Sequence, residues 1–559
     1  MKSLKTLSLI LGACVSFYAC TDLDEVLVGE ITEAYSEQNP AASSGGAGGS
    51  SDALGGPYSK LRDGSAGHGG IFSLQTISSD EAWIATKGGD WYDGGILIDL
   101  HKHDFLANNA FITGTWNQQY GAINAINEAL AASPKEADAK QLRVLRAFFY
   151  QRLLDIYGNV KLVVAPDTDV AQSTRAEVFT FVETELLSAL GLTRAGVIAG
   201  DAPTDFGSDQ NPYRVSAFGA LGLLSKLYLN AEAYVGTAMY AAAHAAADYV
   251  IENGTMYSLA TAASYSVASA GRTSDFSVPN LGRLNINSVP DVEPGNIYTY
   301  TDLEGYAAMF AANNESNPEF IWSIEYDDVT AGGMNFAMMS LHYGSQFTWN
   351  FTAQPWNGYA SLEEFYNSYD SSDKRKESNF IQGEQKTFNG LNLNDYAADD
   401  SDILLNYTPA NTGGIYPNGT REAGARLGKF SMKQFGRPDM SNDYPIIRLG
   451  DMYLVRAEAN ARLNSNNWSL ALDDVNIIRR RAGATDLTSL DADSFLAERG
   501  REMFQESNRR TDQIRFNKWT AGVDSGTGST NSPAFKNLMP IPLDAINASN
   551  GSLSQNTGY

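Results

Sequence analysis

The stretch LGDMYLVRAEANARL, residues 449–463, is the part of the sequence that indicates the fold most clearly. Its apolar side chains recur every three or four residues, which is the period of a helix with one buried face. A second stretch with the same period follows after a short polar turn, and its apolar positions are Trp468, Leu472, Val475, Ile478 and Ala482. The sequence therefore predicts an antiparallel helix pair in this region.

Helix pairs of the same kind are predicted in the first half of the sequence. One consists of a helix over about 115–133 and a partner that ends at Gly158. Further helices are predicted over 174–190, 215–234 and 238–251, and the last two are rich in small residues that let helices pack closely. Repeated pairs with a small-residue seam favour a tetratricopeptide-like scaffold over an irregular helical bundle, although no strict repeat period is present.

Residues 256–440 have a different character, because Gly, Asn, Ser, Asp and aromatic residues replace the helical period. Long loops with little periodicity usually carry function. The sequence thus predicts a mainly α protein in which a large loop-rich capping insertion interrupts the helical scaffold. The predicted parts are a lipoprotein signal peptide over 1–19, a lipidated N-terminus and tether over 20–60, an N-terminal helical part over 61–255, the capping region over 256–440, and a C-terminal helix pair with a closing segment over 441–559.

The composition describes a folded chain with a strong negative charge. Of the 559 residues, 43% are hydrophobic, and 40 Lys and Arg residues stand against 65 Asp and Glu residues for a formal net charge of −25. Such a charge repels phosphate backbones, so the sequence argues against nucleic-acid binding. No segment after the first residues is apolar over the roughly 18 residues that a membrane span needs.

The N-terminal segment has the pattern of a lipoprotein signal. Lys2 and Lys5 precede a short apolar run, and both cysteines of the chain, Cys14 and Cys20, lie in this segment. Cys20 follows the small residue Ala19, as at a lipoprotein cleavage site, so we expect cleavage before Cys20 and its lipidation. Cleavage before Cys14 would shorten the apolar run, and ordinary secretion with an incidental cysteine is the other alternative.

Motifs of several enzyme classes are missing from the sequence. The five histidines follow no zinc-ligand spacing, and neither a P-loop nor a G-x-S-x-G elbow occurs. His101 and His103 would share one side of a strand, where a structural role is favoured over metal binding. The oxygen-rich stretch 392–402 lacks the spacing of an EF-hand and is interpreted as a solvated loop. The sequence predicts no catalytic residue, metal or cofactor.

Two aromatic-rich stretches are the candidates for a binding site. The first, 80–95, carries rings and carboxylates between glycines, where aromatic side chains gain little from a core position. Sugars offer flat C–H faces that stack on rings and hydroxyl edges that bond to carboxylates. The second stretch is 343–359. The predicted ligand-binding residues are Trp83, Asp90, Trp91, Tyr92, Asp93, Tyr343 and Trp349. Core packing is the alternative for each ring.

Several stretches resemble the SusD/RagB family of outer-membrane nutrient-binding lipoproteins. They occur in the order expected for the family and cover nearly the whole chain. The stretches are Cys20–Glu25, Leu449–Ala459, Asp473–Gly483, the charged pattern from Glu498 to Arg515 and the closing segment from Met539 to Tyr559. In that closing segment, Thr557 replaces the usual proline and Ser549-Asn550-Gly551 departs from the usual Asn-Pro. The charges of the pattern from Glu498 to Arg515 are expected to pair with neighbours three and four residues away, in a structural role.

The resemblance implies a non-enzymatic binding protein on the cell surface. It implies a tetratricopeptide-like body under a loop-rich cap, a lipid anchor in the outer membrane, and a SusC-like TonB-dependent transporter as partner. The implied ligand is a glycan, an oligosaccharide or polysaccharide. A peptide or glycopeptide ligand in the same architecture, and a surface glycoside hydrolase, are the alternatives left open.

Overall fold

The computed structural model describes residues 54–87, 89–208, 211–267, 303–388, 391–395, 403–417, 419–521 and 531–559. The chain divides into two compact units, Met1–Ser43 and Ser44–Tyr559, of which the first lies outside the described residues. The predicted signal peptide, Cys20 and most of the predicted tether also lie outside them. Leu54 and Tyr58, which lie inside the predicted tether, are buried, and the predicted boundary at residue 60 stays a prediction. The other predicted boundaries stay predictions.

The secondary structure of the described part is mainly helical. Its α-helices are α1 (Gly55–Ser59), α2 (Ile71–Ile77), α3 (Ile96–His101), α4 (Ala110–Ala131), α5 (Glu136–Ile156), α6 (Arg175–Leu190), α7 (Arg194–Ala199), α8 (Ala217–Leu229), α9 (Ala231–Val235), α10 (Tyr240–Asn253), α11 (Gly305–Met309), α12 (Phe336–Ser340), α13 (Ser345–Trp349), α14 (Glu363–Asn367), α15 (Arg375–Asn379), α16 (Leu449–Leu463), α17 (Leu472–Arg481), α18 (Ala492–Met503), α19 (Arg509–Arg515) and α20 (Leu543–Ala548). Its strands are β1 (Ala82–Ile84), β2 (Val160–Lys161), β3 (Gln172–Ser173), β4 (Ser266–Val267), β5 (Leu303–Glu304), β6 (Phe320–Ile324), β7 (Tyr359–Ser361), β8 (Phe380–Ile381), β9 (Gly383–Glu384), β10 (Asn406–Tyr407), β11 (Arg426–Leu427) and β12 (Tyr444–Arg448). The mainly α prediction is confirmed.

The predicted helix pairs are present, and local capping explains their bounds. Helix α4 begins at Ala110, before the predicted start, because the Asn109 side chain accepts a hydrogen bond from Phe111 N. Thr174 and Glu177 form a capping box at the start of α6, and Gly191 ends that helix in the left-handed conformation. The predicted helix over 215–234 is instead two helices, α8 and α9, which meet at Asn230.

The C-terminal pair packs on the N-terminal helices in one array. Helix α10 packs against both α8 and α16, and α16 packs against α17. Small residues line the buried face of α10, where Ala242, Ala243, Ala246 and Ala247 are buried. On α8, a Cβ at Gly222 would lie 2.4 Å from Ile447 Cγ2 of strand β12, so only glycine fits there. The helical scaffold is thereby built from two parts of the chain that are about 200 residues apart in sequence.

Short strands support the loops of the cap. Strands β1, β7, β11 and β8 form an antiparallel sheet in that order, with Trp83 of β1 opposite Ala360 of β7. The apolar run Phe320–Ile324 pairs with β12, directly before α16. Both strands of the pair β1–β7 end next to the aromatic stretches predicted as binding segments. The sheet thus fixes one of these stretches against the other.

A buried cluster of charges connects the C-terminal helices to the cap. We name it the ionic centre, and it comprises Glu319, Arg375, Lys429, Arg448, Arg481, Glu498, Glu502 and Glu506. Glu502 pairs with three arginines, at 3.0 Å to Arg375 and 2.8 Å to Arg448, and in contact with Arg481. Such buried charges are tolerated only when they are fully paired.

The predicted pairing of the charged stretch is partly wrong. Arg501 does pair with Glu498 three residues away, as does Arg515 with Asp512. Most partners, however, lie far along the chain, because the stretch forms two helices, α18 and α19, whose charged faces point into the body. The role is structural as predicted, but the pairs are tertiary contacts.

No helix in the described ranges combines the length and the apolar character that crossing a membrane requires.

Candidate functional site

Exposed aromatic rings collect where three segments of the chain meet. The segments are 86–93 after β1, 343–359 before β7, and 411–417. Thr86 N donates to Ile415 O at 2.8 Å, which joins the first segment to the third. We name this surface the aromatic site, and it comprises Asp90, Trp91, Tyr92, Asp93, Tyr343, Trp356 and Tyr416.

A tight hairpin turn presents Asp90 to solvent. The backbones of Lys87 and Asp90 exchange two hydrogen bonds, of 3.1 and 3.2 Å. The Tyr343 hydroxyl donates to the exposed Asp90 carboxylate, so the turn is joined to the 343–359 segment. Burial, and then this hydrogen bond, raise the pKa of Tyr343 well above its ordinary value. Tyr343 therefore remains a hydrogen-bond donor to Asp90 at all physiological pH values.

The Trp91 ring lies against the backbone of the second segment. Its Nε1 donates to Trp356 O at 2.6 Å. A Cβ at Gly358 would lie 2.5 Å from Trp91 Cζ2, so the ring needs a glycine at that position. Trp91 itself adopts a positive φ of 61°, a conformation that costs energy for a large side chain and that surrounding contacts must enforce. The half-buried Trp91 thus forms the base of the site.

His68 supports this base from below. Its ring meets Trp91 edge-on with centroids 5.3 Å apart, and its Nδ1 lies 2.9 Å from the Tyr359 hydroxyl. Burial lowers the pKa of His68 to about 4, against an opposing attraction from Asp93. The imidazole is therefore neutral at physiological pH and acts as an aromatic and hydrogen-bonding support.

Three large rings project from this base into solvent. Tyr92 is 44% exposed, Trp356 is 38% exposed and Tyr416 is 54% exposed. Tyr92 and Tyr416 lie with centroids 5.5 Å apart and planes 31° apart. Clustered exposed rings on a folded protein mark an interaction surface more often than a packing defect. The exposed carboxylates of Asp90 and Asp93 add hydrogen-bond acceptors to it.

The sequence and structure of this chain match known proteins. The model of the SusD family matches residues 299–559. The chain is 35% identical over 127 residues to the starch-binding protein SusD of Bacteroides thetaiotaomicron, across 21% of this chain and 22% of that protein. It is 27% identical over 271 residues to SusD-like protein P25 of Formosa agariphila, across 44% of this chain and 49% of that protein.

These matches support the assignment of the chain to the SusD/RagB family.

A solved structure is similar to this chain in its fold. The chain resembles surface glycan-binding protein A from Bacteroides thetaiotaomicron, solved in complex with laminarihexaose, with a TM-score of 0.62 and 18% identity. The similarity covers 90% of this chain and 98% of that one. The sequence matches to the two curated relatives, by contrast, span only 22% and 49% of their lengths.

Five of the seven predicted ligand-binding residues lie in the aromatic site. They are Asp90, Trp91, Tyr92, Asp93 and Tyr343. Trp83 is fully buried in β1, against Gly424, so it lies outside this exposed surface. Trp349 is half-buried, lies nearly parallel to Phe351 at 6.4 Å and packs on the core. We therefore leave Trp83 and Trp349 out of the aromatic site.

Sequence reasoning missed four contributors: His68, Lys87, Trp356 and Tyr416. Trp356 lies in the predicted second stretch but was not among the predicted binding residues. Tyr416 lies in a loop without another aromatic residue within eight positions, and His68 lies in a glycine-rich loop. No local signal distinguishes them, because only the meeting of three separate segments gives them a role.

The histidines and acidic residues that the sequence offered as metal-ligand candidates have structural contacts. His101 ends helix α3, and His103 follows in a left-handed turn; their ring nitrogens lie 3.0 Å from Ile77 O and 2.7 Å from Ser78 O. Burial lowers the pKa of both to about 4. Asp395 is buried 3.3 Å from His342 Nε2, so this part of the predicted solvated loop belongs to the interior. Within the described ranges, no group of three or more His, Cys, Asp or Glu residues could hold a metal ion.

Proposed function

We propose that this protein is a surface-exposed lipoprotein that binds a glycan and delivers it to a SusC-like TonB-dependent transporter, without catalysing a reaction. The observation that carries the proposal is the exposed ring cluster of Tyr92, Trp356 and Tyr416 beside the carboxylates of Asp90 and Asp93. The support comes from the chemistry of that surface and from the family.

The chemistry of the aromatic site suits a sugar chain. Aromatic rings offer flat apolar faces with little conformational entropy to lose, and the C–H faces of pyranose rings stack on such surfaces. The carboxylates at the rim accept hydrogen bonds from sugar hydroxyl groups. An open surface of this kind also accommodates a long polymer, whereas small-molecule sites are usually deep, apolar pockets.

The known relatives support a carbohydrate ligand. One curated relative is named a starch-binding protein, and the structurally similar surface glycan-binding protein was solved with laminarihexaose. Those ligands are properties of those proteins. For this chain we infer the broader class, an oligosaccharide or polysaccharide.

Retention on native polysaccharide gels would test glycan binding. We expect the body without residues 1–19 to be retarded by at least one polysaccharide of a broad panel, and the double variant Trp356→Ala/Tyr416→Ala to migrate freely. Phe535→Ala is the matched control, because Phe535 is 37% exposed and lies outside the aromatic site. Retardation that survives in the double variant would remove the aromatic site from the proposal.

A free migration of the wild-type protein on every gel would contradict glycan binding itself. Calorimetric titration with peptides and glycopeptides would then test the alternative ligand class. Release of shortened products when the protein is incubated with a polysaccharide would instead favour a glycoside hydrolase.

The anchor and the partner need separate experiments. We expect Cys20→Ala to release the protein from the membrane fraction of cells, with Cys14→Ser as the matched control that leaves it membrane-bound. Affinity purification of the wild-type lipoprotein from detergent-solubilised outer membranes is expected to recover a TonB-dependent transporter. Retention of the Cys20→Ala variant on membranes would contradict lipidation at that residue.

A further inference from the structure

A lysine is buried directly beneath the aromatic site. Lys87 is only 6% exposed, and its Nζ donates to the carbonyl oxygens of Asn357 at 2.7 Å, Gly358 at 3.2 Å and Ala85 at 3.3 Å. Among the residues that the structure describes, Lys87 forms no ion pair. Burying an amine costs free energy that these three hydrogen bonds must offset, so its position needs an explanation beyond core packing.

The bonds of Lys87 connect the two segments that carry the rings. Its own backbone pairs with Asp90 in the turn that leads to Trp91, and its amine reaches the segment that follows Trp356. A second bond parallels this link, since Trp91 Nε1 donates to Trp356 O. Two side chains from one segment thus hold consecutive carbonyls of the other.

The backbone that Lys87 binds is itself in a fixed and unusual conformation. Asn357 is fully buried with a positive φ of 57°. Its neighbours are held by backbone hydrogen bonds from Trp356 N to Met338 O at 2.7 Å and from Gly358 N to Met339 O at 2.9 Å. Arg426, which is also buried, donates to the Asn357 side chain at 2.9 Å. Trp356 therefore projects from a rigid backbone segment, and Lys87 donates hydrogen bonds to carbonyl oxygens of that segment.

We propose that Lys87 is a positioning residue that fixes the rings of the aromatic site in their binding arrangement before a ligand arrives. This inference rests on the proposed glycan-binding function. A preorganised site avoids the entropy cost of ordering loops and side chains on binding. Lys87 does not touch the ligand, because its amine is turned inward to the backbone. Burial and the nearby Arg426 also hold the pKa of Lys87 well below its ordinary value, and even the neutral amine keeps two N–H donors for these carbonyl oxygens.

A double-mutant cycle separates positioning from general stability. Lys87→Met keeps the length of the side chain and removes the donors, and Lys386→Met at an exposed site is the matched control. We expect Lys87→Met to weaken binding of the polysaccharide that retards the wild-type protein by roughly tenfold. In a Trp356→Ala background the same change is expected to have less than about a twofold effect, because the ring that Lys87 positions is gone.

Unchanged binding in Lys87→Met, or equal effects in both backgrounds, would overturn the proposal. Hydrogen exchange on the wild-type protein tests it without any variant, in case Lys87→Met does not fold. We expect the amides of 356–358 to be protected in the free protein as strongly as in the presence of the polysaccharide. Fast exchange that slows only with ligand would show that the site is not preformed. The exchange of the free protein can be measured even if no polysaccharide binds. The failure of one proposal can therefore be distinguished from the failure of the other.

Discussion

The ionic centre and the aromatic site are assembled in the same way, but one is buried and the other is exposed to water. Each collects side chains from segments that lie far apart in sequence. In the ionic centre, charged groups such as Glu502 and Arg448 are withdrawn from water and paired at 2.8 Å. In the aromatic site, the rings of Tyr92, Trp356 and Tyr416 are left in water, although apolar burial would stabilise the fold.

The difference separates stability from binding within one chain. The ionic centre joins α18 to the cap, so its loss leaves buried charges without partners. The aromatic site contributes little to stability because its outer rings have few contacts to lose. We therefore expect changes in one region to leave the property of the other region unaffected, apart from global unfolding.

The largest effect is expected from Glu502→Ala. This change leaves Arg375, Arg448 and Arg481 without a shared carboxylate in a buried environment, which costs about 3–5 kcal/mol in comparable proteins. Urea denaturation followed by circular dichroism measures the loss. Glu364→Ala, at an exposed position, is the control and is expected to change stability by less than about 0.5 kcal/mol. A similar stability for both variants would show that the ionic centre is not a stabilising contact.

Two tryptophans allow the contributions to stability and to binding to be measured separately, because one is buried and the other is exposed. Trp83→Ala is expected to lower the free energy of unfolding by about 3–5 kcal/mol, since the ring is fully buried. Trp356→Ala is expected to change stability by less than about 1 kcal/mol and to weaken glycan binding roughly tenfold or more. Thermal melts and affinity gels on both variants decide this. Equal destabilisation by Trp356→Ala and Trp83→Ala would contradict the separation of stability from binding.

Acid is expected to weaken the ionic centre within a defined pH range. Burial alone would raise the pKa of Glu498, but Arg375, Arg501 and Arg479 outweigh it and lower the pKa to about 2. A carboxylate with a lowered pKa in the folded state contributes stability above its ordinary pKa of 4.5 and loses it as the pH falls towards 2. Denaturation curves at pH 5, 4 and 3 should show falling stability, less steeply in Glu498→Gln. An identical slope in that variant would contradict the assignment.

The smallest effect is expected from the pH dependence of binding. Because the pKa of His68 is lowered to about 4, the support of the aromatic site stays neutral above that pH. Glycan affinity should therefore change less than about twofold between pH 5 and 8, and fall only as the pH approaches 4. Calorimetric titrations across this range measure it. A clear loss of affinity near pH 6.5 would mean that His68 titrates as an ordinary histidine.

Local patterns in the sequence were enough to predict the helical scaffold and to indicate two segments of the candidate site. The period of residues 449–463 predicted α16, and the helix predicted over 174–190 is α6, because helical periodicity is a local property. The two aromatic stretches were recognised from composition. Within them, however, Trp83 and Trp91 looked alike, although the first lies in the core and the second lies in the site.

Which side chains contact one another became clear from the tertiary structure. The pairing of β1 with β7 brings Trp91 to Trp356, and a contact with Ile415 adds Tyr416 from a third segment. The ion-pair partners of Glu502 are equally unpredictable, since they lie up to 127 residues away in the chain. Burial and pairing of this kind depend on how distant segments pack, and neither residue type nor local spacing contains that information.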